Sequence, residues 1–236
     1  MTTHRVVLSN DWIDARKELL KKEKEFTRSR DELSKQRRDL PWERIDKEYV
    51  FDGSNGKEPL SDLFDGRKQL IVYHFMFGPD WPEGCHICSM LADHYEPAIL
   101  HLNQRDVTMV TVSQAPFDSL HAFRMRMGWS FKWVSSLNCD FNLDFHVSFT
   151  PEEQESRQEY YNYRVGAWPA PEEAPGMSVF QKDNDGTIYH TYSTYARGLD
   201  LFLNVYNLLD IVPKGRDEAD LKHSFEWVRH HDRYAG

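Results

Sequence analysis

The chain has 236 residues, of which 40% are hydrophobic, so it is long enough to bury a core in one large domain or two small ones. Its formal charge of −9 disfavours binding to nucleic acid or to an anionic membrane surface, because both require clustered Lys and Arg. Three cysteines do not suit a secreted disulfide framework, and no apolar run is long enough for a signal peptide or a membrane helix. We therefore expect a cytoplasmic protein.

The N-terminal region is predicted to form one long helix. Residues 10–38 contain neither Pro nor Gly and are rich in helix-forming residues. A narrow apolar stripe recurs every seven residues and consists of Trp12, Leu19, Phe26, Leu33 and Leu40. This helix either packs on its own domain or forms a homodimer interface with a second copy. We expect residues 1–46 to be a helical extension of a domain over residues 47–236.

Short apolar runs alternate with helical segments from residue 47 onward. The continuous run "QLIVYHFMF" predicts a strand that is buried on both faces. The segments that follow it are a helix containing Pro97, a strand at 107–113, a helix at 116–128 and a short strand at 131–136. This alternation predicts a parallel sheet with right-handed crossovers.

The C-terminal half is predicted to add an insertion and an antiparallel hairpin. Residues 151–175 contain several prolines and glutamates, which is typical of an exposed, partly helical insertion. A hairpin should follow, with its turn at Asp-Asn-Asp-Gly and positive φ at Gly186. We expect a last, largely covered helix over residues 198–210.

Two of the three cysteines lie in the stretch "PEGCHICSML", after the buried strand and at the start of a helix. A pair of this spacing can carry out thiol–disulfide exchange, with Cys85 as the exposed nucleophile and Cys88 as the shielded resolving thiol. The helix start should lower the pKa of Cys85. The positive form of His86 would stabilise the thiolate further, and Glu83 would oppose it. Trp81 is expected to contribute to an apolar wall around the sulfurs.

Two other interpretations of the pair stay open. Both cysteines could be small core residues without redox turnover, since free cysteines are commonly buried. They could also be half of a zinc site completed by His94 or His101. The third cysteine, Cys139, is either a core residue or a third redox partner.

Several stretches of the chain resemble a bacterial family known as domain of unknown function 899, whose members are labelled predicted dithiol–disulfide oxidoreductases. The stretches are "LSDLFDGRKQLIVYHFMFGPDWPEGCHIC", "MGWSFKWVSS", "FNLDF", "HTYSTYARGLD" and "HHDRY". The resemblance implies an α/β, thioredoxin-like fold of the peroxiredoxin branch, with a central sheet, flanking helices and the long N-terminal helix. It also gives Cys85 the role of nucleophile and Cys88 that of resolving cysteine.

The resemblance further implies that a cis-proline faces the cysteines, and Pro175 occupies the corresponding place. The sequence departs from thioredoxins because Gly84 precedes Cys85 where they have Trp, and it departs from peroxiredoxins because Pro82 stands where they bind peroxide through Thr or Ser. A standard peroxidase is therefore disfavoured. We expect a thiol or disulfide substrate, either a protein or a small molecule, and neither a cofactor nor a metal ion.

Overall fold

The computed structural model describes residues 4–170 and 172–235. Residues 1–3 of the predicted extension, Pro171 of the predicted insertion and Gly236 at the end of the predicted domain lie outside the described residues. The chain divides into two compact units, Met1–Pro41 and Trp42–Gly236. The first unit contains helix α1, Ser9–Arg38, which confirms the predicted long helix. None of the residues of α1 is buried.

The second unit alternates strands and helices in the order that the sequence predicts. Its first half contains β1 Glu43–Arg44, β2 Val50–Gly53, β3 Gly56–Pro59, β4 Gln69–His74, α2 His86–Asn103, β5 Val107–Ser113, α3 Phe117–Arg126 and β6 Trp133–Ser135. Its second half contains α4 Phe141–Asp144, α5 Pro151–Ser156, β7 Tyr160–Tyr161, β8 Arg164–Val165, β9 Gly176–Lys182, β10 Ile188–Tyr195 and α6 Asn204–Leu209.

Eight of the strands form one sheet in the order β1-β10-β9-β4-β5-β6-β2-β3. Strands β4, β5 and β6 are parallel neighbours and are connected through α2 and α3, as expected for crossover connections. Strand β9 is antiparallel to both β4 and β10. The four strands β10-β9-β4-β5 with their helices give the predicted α/β, thioredoxin-like sheet.

Separate clusters of apolar side chains cover the two faces of the sheet. Successive residues of a strand point to opposite faces, so Leu70 and Val72 belong to one cluster and Tyr73 and Phe75 to the other. The cluster around Tyr73 and Phe75 also contains Cys88. The predicted cysteine pair is therefore placed on this face, at the end of β4.

Two segments differ from the sequence prediction. The single covered helix over 198–210 is wrong: a 3-10 helix, Ala196–Phe202, is followed by α6, and they are separated at Leu203, whose ψ is 79°. The predicted insertion contains α5 and the hairpin β7–β8, and it buries Glu159, Tyr161 and Glu173. It is therefore less exposed than its acidic composition suggests.

None of the helices within the described residues combines the length and the apolar composition that crossing a bilayer requires.

Candidate functional site

The two cysteines occupy the first turn of α2. Cys85 is the N-cap residue and is partly buried, whereas Cys88 lies in the first helical turn and is buried. The backbone N–H of Cys85 donates to the carbonyl oxygen of Met76 at 3.0 Å. Both the backbone N–H and the hydroxyl of Ser89 donate to the carbonyl oxygen of Cys85, each at 2.9 Å. The bond to Met76 attaches the cysteine loop to the segment that follows β4, and the two bonds from Ser89 fix Cys85 at the start of α2.

Cys85 is the more acidic thiol of the pair. A hydrogen bond from the Cys88 thiol lowers the pKa of Cys85, and the backbone N–H groups of Cys88 and Ile87 lower it further, against an opposing effect of burial. This is the direction expected for a cysteine at a helix start, where N–H groups lack intrahelical acceptors. The sulfur of Cys85 is therefore the one that is favoured as thiolate.

Cys88 is held in its neutral form. Burial raises the pKa of Cys88 well above its ordinary value, and the hydrogen bond and charge of Cys85 raise it further. The Tyr73 hydroxyl and the backbone N–H of Met76 act in the opposite direction. The two sulfurs are not bonded to each other in this structure. A hydrogen-bonded thiol pair with opposite pKa directions can divide the roles of attack and resolution.

The glycine before Cys85 allows the loop to lie against the aromatic core. A Cβ atom on Gly84 would lie 2.7 Å from Cε1 of Phe75, closer than real Cβ atoms approach other atoms, and 3.0 Å from Cε1 of Phe123, which is a tight contact. The Trp that thioredoxins carry at this place could not fit here without displacing these rings. The departure from thioredoxins at Gly84 is thus a consequence of the close packing below it.

The C-terminal segment binds the same loop. His230 is buried, and its Nε2 donates to the carbonyl oxygen of Gly84 at 2.8 Å, while its Nδ1 accepts from Arg126 at 3.1 Å. This pattern assigns the neutral tautomer with the proton on Nε2. Arg126 and Arg233 both donate to the carboxylate of Glu83, at 2.9 Å and 2.6 Å. The negative charge of Glu83 therefore faces two guanidinium groups.

An apolar cleft of about 540 Å³ opens beside the sulfurs. Its walls include both cysteines, the insertion residues Trp168 and Ala170, and Phe225. Pro175 also lines the cleft, but the expectation that it is cis is wrong: the described residues contain no cis peptide bond. The ordinary trans preference of Xaa–Pro bonds holds here, and the carbonyl oxygen of Pro175 accepts from the Tyr161 hydroxyl at 2.6 Å.

Two of the predicted supporting residues differ in part from the prediction. Partial desolvation lowers the pKa of His86, and the positive charge of Arg229 lowers it further, which disfavours the positive form that was expected to stabilise the thiolate. Trp81 packs against the apolar cluster that contains Cys88, as predicted, but it does not line the cleft. Instead, its indole N–H donates to Glu172, which connects the cysteine loop to the insertion.

Cys139 lies away from the pair. It packs against the cluster on the opposite face of the sheet, and burial raises its pKa. This placement favours the interpretation as a core residue. Within residues 4–170 and 172–235, no three His, Cys, Asp or Glu side chains come together in a way that could hold a metal ion.

Two residues of the site, Arg126 and His230, were missed in the sequence, and the contact of the Tyr73 hydroxyl with Cys88 was not predicted. Tyr73 lies within the buried strand and its hydroxyl contacts Cys88, so only the polar group in an otherwise apolar run could have indicated it. The pair His230 and His231 near the C-terminus was noticeable, yet nothing in the local pattern connects it to a loop about 146 residues earlier. These partners become visible only in the fold.

The sequence profile of the family described as "Bacterial protein of unknown function (DUF899)" matches residues 1–234, in agreement with the resemblance seen in the sequence. No curated protein matches the chain.

Three of the similar solved structures illustrate the range of matches. Peroxidoxin BcpB from Mycobacterium tuberculosis is 12% identical, with 70% of this chain and 94% of that chain covered and a TM-score of 0.46. Peroxiredoxin Q from Xanthomonas campestris is also 12% identical, with 66% and 87% covered and a TM-score of 0.43. A thiol:disulfide interchange protein from Bacteroides sp. is 15% identical, with 81% and 97% covered and a TM-score of 0.39. At such low identities these similarities do not indicate a substrate.

Proposed function

The chain belongs to the DUF899 family of bacterial proteins, and we propose that it is a dithiol–disulfide oxidoreductase in which Cys85 attacks and Cys88 resolves. The observation that carries this proposal is the placement of the two thiols at the start of α2, with Cys85 partly buried at the N-cap and Cys88 buried in the first turn. The lowered pKa of Cys85 and the raised pKa of Cys88 agree with this division. The apolar cleft beside the pair provides room for a substrate.

The reaction is two successive thiol–disulfide exchanges. The Cys85 thiolate attacks one sulfur of a substrate disulfide, forms a mixed disulfide and releases the first substrate thiol. Cys88 then loses its proton and attacks the sulfur of Cys85, which releases the second substrate thiol and leaves a Cys85–Cys88 disulfide. The substrate gains two electrons and the cysteine pair loses two. Running the same steps backwards oxidises a substrate dithiol.

Tyr73 lies beside the resolving thiol within the buried cluster. Its hydroxyl donates to the backbone carbonyl oxygen of Cys88 at 3.3 Å, and its proximity to the thiol counteracts the effect of burial on the pKa of Cys88. A buried thiol without a donor would rarely become a thiolate. Tyr73 is therefore a positioning residue for the resolving step.

Trapping experiments test the assignment of roles. With a disulfide substrate, Cys88→Ser should accumulate a mixed disulfide on Cys85, whereas Cys85→Ser should show neither exchange nor trapping. Cys139→Ser is the matched control, because this cysteine packs on the other face of the sheet, and it should behave like the wild type. The proposal fails if wild-type protein forms no Cys85–Cys88 disulfide under mild oxidation, or if both cysteine variants trap substrate equally.

We further propose that the protein works in the cytoplasm. A reducing compartment would keep the pair available as a dithiol between turnovers. Quantifying the redox state of Cys85 and Cys88 by alkylation of intact cells tests this, and a pair that is fully oxidised in growing cells would contradict it.

A further inference from the structure

The cleft beside the cysteines contains few groups that could bind a charged substrate. Its volume of about 540 Å³ is in the range of small-molecule sites, and its walls are made largely of apolar side chains such as Met76, Leu91 and Leu203. Among the described residues that line it, Arg197 is the only cation, and its guanidinium is paired with Asp200 at 3.0 Å. A carboxylate that entered the cleft would lose water without gaining an unpaired cation, which is costly.

Backbone N–H and C=O groups beside the cleft already have hydrogen-bond partners. Extended peptides commonly bind by pairing with free backbone N–H and C=O groups. Next to Pro175, however, the N–H of Ala174 donates to the carbonyl oxygen of Val147 at 2.8 Å. The carbonyl oxygen of Pro175 accepts from the Tyr161 hydroxyl at 2.6 Å. This wall therefore leaves an incoming peptide few backbone partners near the sulfurs.

We infer that the substrate of the pair is a low-molecular-weight disulfide with neutral, apolar substituents. This inference rests on the proposed function. The apolar substituent lies against Ala170 and Leu203 while one substrate sulfur meets Cys85. Two exchanges reduce the substrate to two neutral thiols and oxidise Cys85 and Cys88 to a disulfide, which a small dithiol reductant then reduces for the next turnover.

Two aryl disulfides of opposite character provide the test. Neutral dithiodipyridine and dianionic dithiobis(nitrobenzoate) both release coloured thiols, so the rate of a single turnover can be followed directly. The reduced protein carries Cys139→Ser to remove the third thiol. Each rate constant is divided by that of free cysteine with the same probe, which removes the intrinsic reactivity. The corrected preference for the neutral probe should be at least about tenfold, since an unpaired carboxylate must be desolvated in the cleft.

Substitutions of Ala170 show whether the preference originates in the cleft. This residue lines the cleft from the insertion and is only partly buried, so a longer side chain can be accommodated. Ala170→Glu should increase the preference for the neutral probe, Ala170→Lys should reduce it severalfold, and Ala170→Gln should act as the uncharged control of similar size. Circular dichroism and thermal unfolding confirm that the three variants are folded.

The outcomes separate this inference from the proposed function. The inferred substrate class is wrong if the cysteine pair reacts but prefers the dianionic probe, or if Ala170→Glu and Ala170→Lys shift the preference in the same direction. In both cases the proposed oxidoreductase function still holds. A faster reaction with a protein disulfide, such as those of insulin, also refutes the small-molecule class alone. If no disulfide oxidises the pair, the proposed function itself falls.

Discussion

The effect of Cys88 on the pKa of Cys85 can be measured by comparing two substitutions of Cys88. Cys88→Ala removes the donor to Cys85, whereas Cys88→Ser keeps a hydroxyl donor of similar size. Both variants lack the second thiol, and with Cys139→Ser in the background the only remaining cysteine is Cys85. Differences in alkylation then report on Cys85 alone. The pKa of Cys85 should be higher in the Ala variant, because the Cys88 hydrogen bond is the largest cause of its lowering.

The size of the effect follows from the strength of such bonds. A hydrogen bond to a charged group contributes about 1.5–3 kcal/mol, but a thiol is a weak donor, so about 1 kcal/mol is appropriate here. That corresponds to a change of about fivefold in the ratio of thiolate to thiol. A more basic thiolate is also a better nucleophile, with a Brønsted coefficient of about 0.4–0.5, which recovers about half of the loss on a logarithmic scale.

The two rate profiles should therefore cross. At pH values below the pKa of Cys85, the Ser variant should react with iodoacetamide about twofold faster than the Ala variant. At high pH, where Cys85 is a thiolate in both variants, the Ala variant should react about twofold faster. Mass spectrometry of quenched samples gives the rates on both sides of the free thiol pKa of about 8.5. Superimposable profiles, or a Cys85 that titrates at or above the free value in the Ser variant, would refute the proposed activation of Cys85.

Three further predictions concern the packing, the insertion and the N-terminal helix. Gly84→Ala should lower the free energy of unfolding in urea by about 1–3 kcal/mol, because the added methyl group overpacks the core. Gly166→Ala is the control: its methyl group would lie in open space and should change the free energy of unfolding by less than about 0.5 kcal/mol. Equal effects would contradict the close approach at Gly84. Burial raises the pKa of Glu173 to about 8, so the folded protein should lose stability as the pH rises from about 4.5 through 8, and Glu173→Gln should remove this loss in thermal unfolding; an identical pH dependence in both proteins would contradict the burial. If α1 carries a homodimer interface, the full-length protein should sediment as a dimer and a variant without residues 1–40 should sediment as a monomer. A full-length protein that is already monomeric would exclude this interface.

Local sequence patterns were sufficient to predict several of the elements around the cysteines. Strand β5 occupies Val107–Ser113, the predicted range, because a run of β-branched and apolar residues bounded by polar ones has few other stable arrangements. The same holds for the cysteine pair, since a buried strand followed by Gly84 and a helix fixes where the two thiols lie. The sequence could therefore predict the place of the two thiols in the fold from neighbouring residues alone.

Features that depend on contacts between distant residues could not be predicted in this way. The resemblance was the only ground for expecting a cis bond at Pro175, and the contact of its carbonyl oxygen with Tyr161 depends on how the insertion folds. The broken helix after Tyr195 shows the same limit, because the apolar run is compatible with one helix or two short ones. Tertiary packing decided both cases.

Glu83 shows how distant residues determine the acidity of the site. A carboxylate two residues before the nucleophile should disfavour a thiolate, and the sequence alone gives no reason to discount it. In the fold, burial acts to raise the pKa of Glu83, yet hydrogen bonds from Arg233 and Arg126 lower it, so the carboxylate is ionised and its charge is compensated. The groups that shift the pKa of Cys85 are the thiol of Cys88 and the backbone N–H groups at the helix start, with burial acting against them.

The C-terminal segment is thus a structural part of the cysteine site. It supplies Arg233 to Glu83 and His230 to the carbonyl oxygen of Gly84, so it both compensates a charge and fixes the loop just before Cys85. Arg126 joins these contacts, because it also donates to Asp232 at 2.9 Å. Planar guanidinium groups suit this bridging, since each presents several donors in a fixed geometry. Residues 230–233 therefore hold the loop that carries Cys85 and compensate the charge of Glu83, whereas the pKa of Cys85 itself is lowered by Cys88 and by the backbone N–H groups of its helix start.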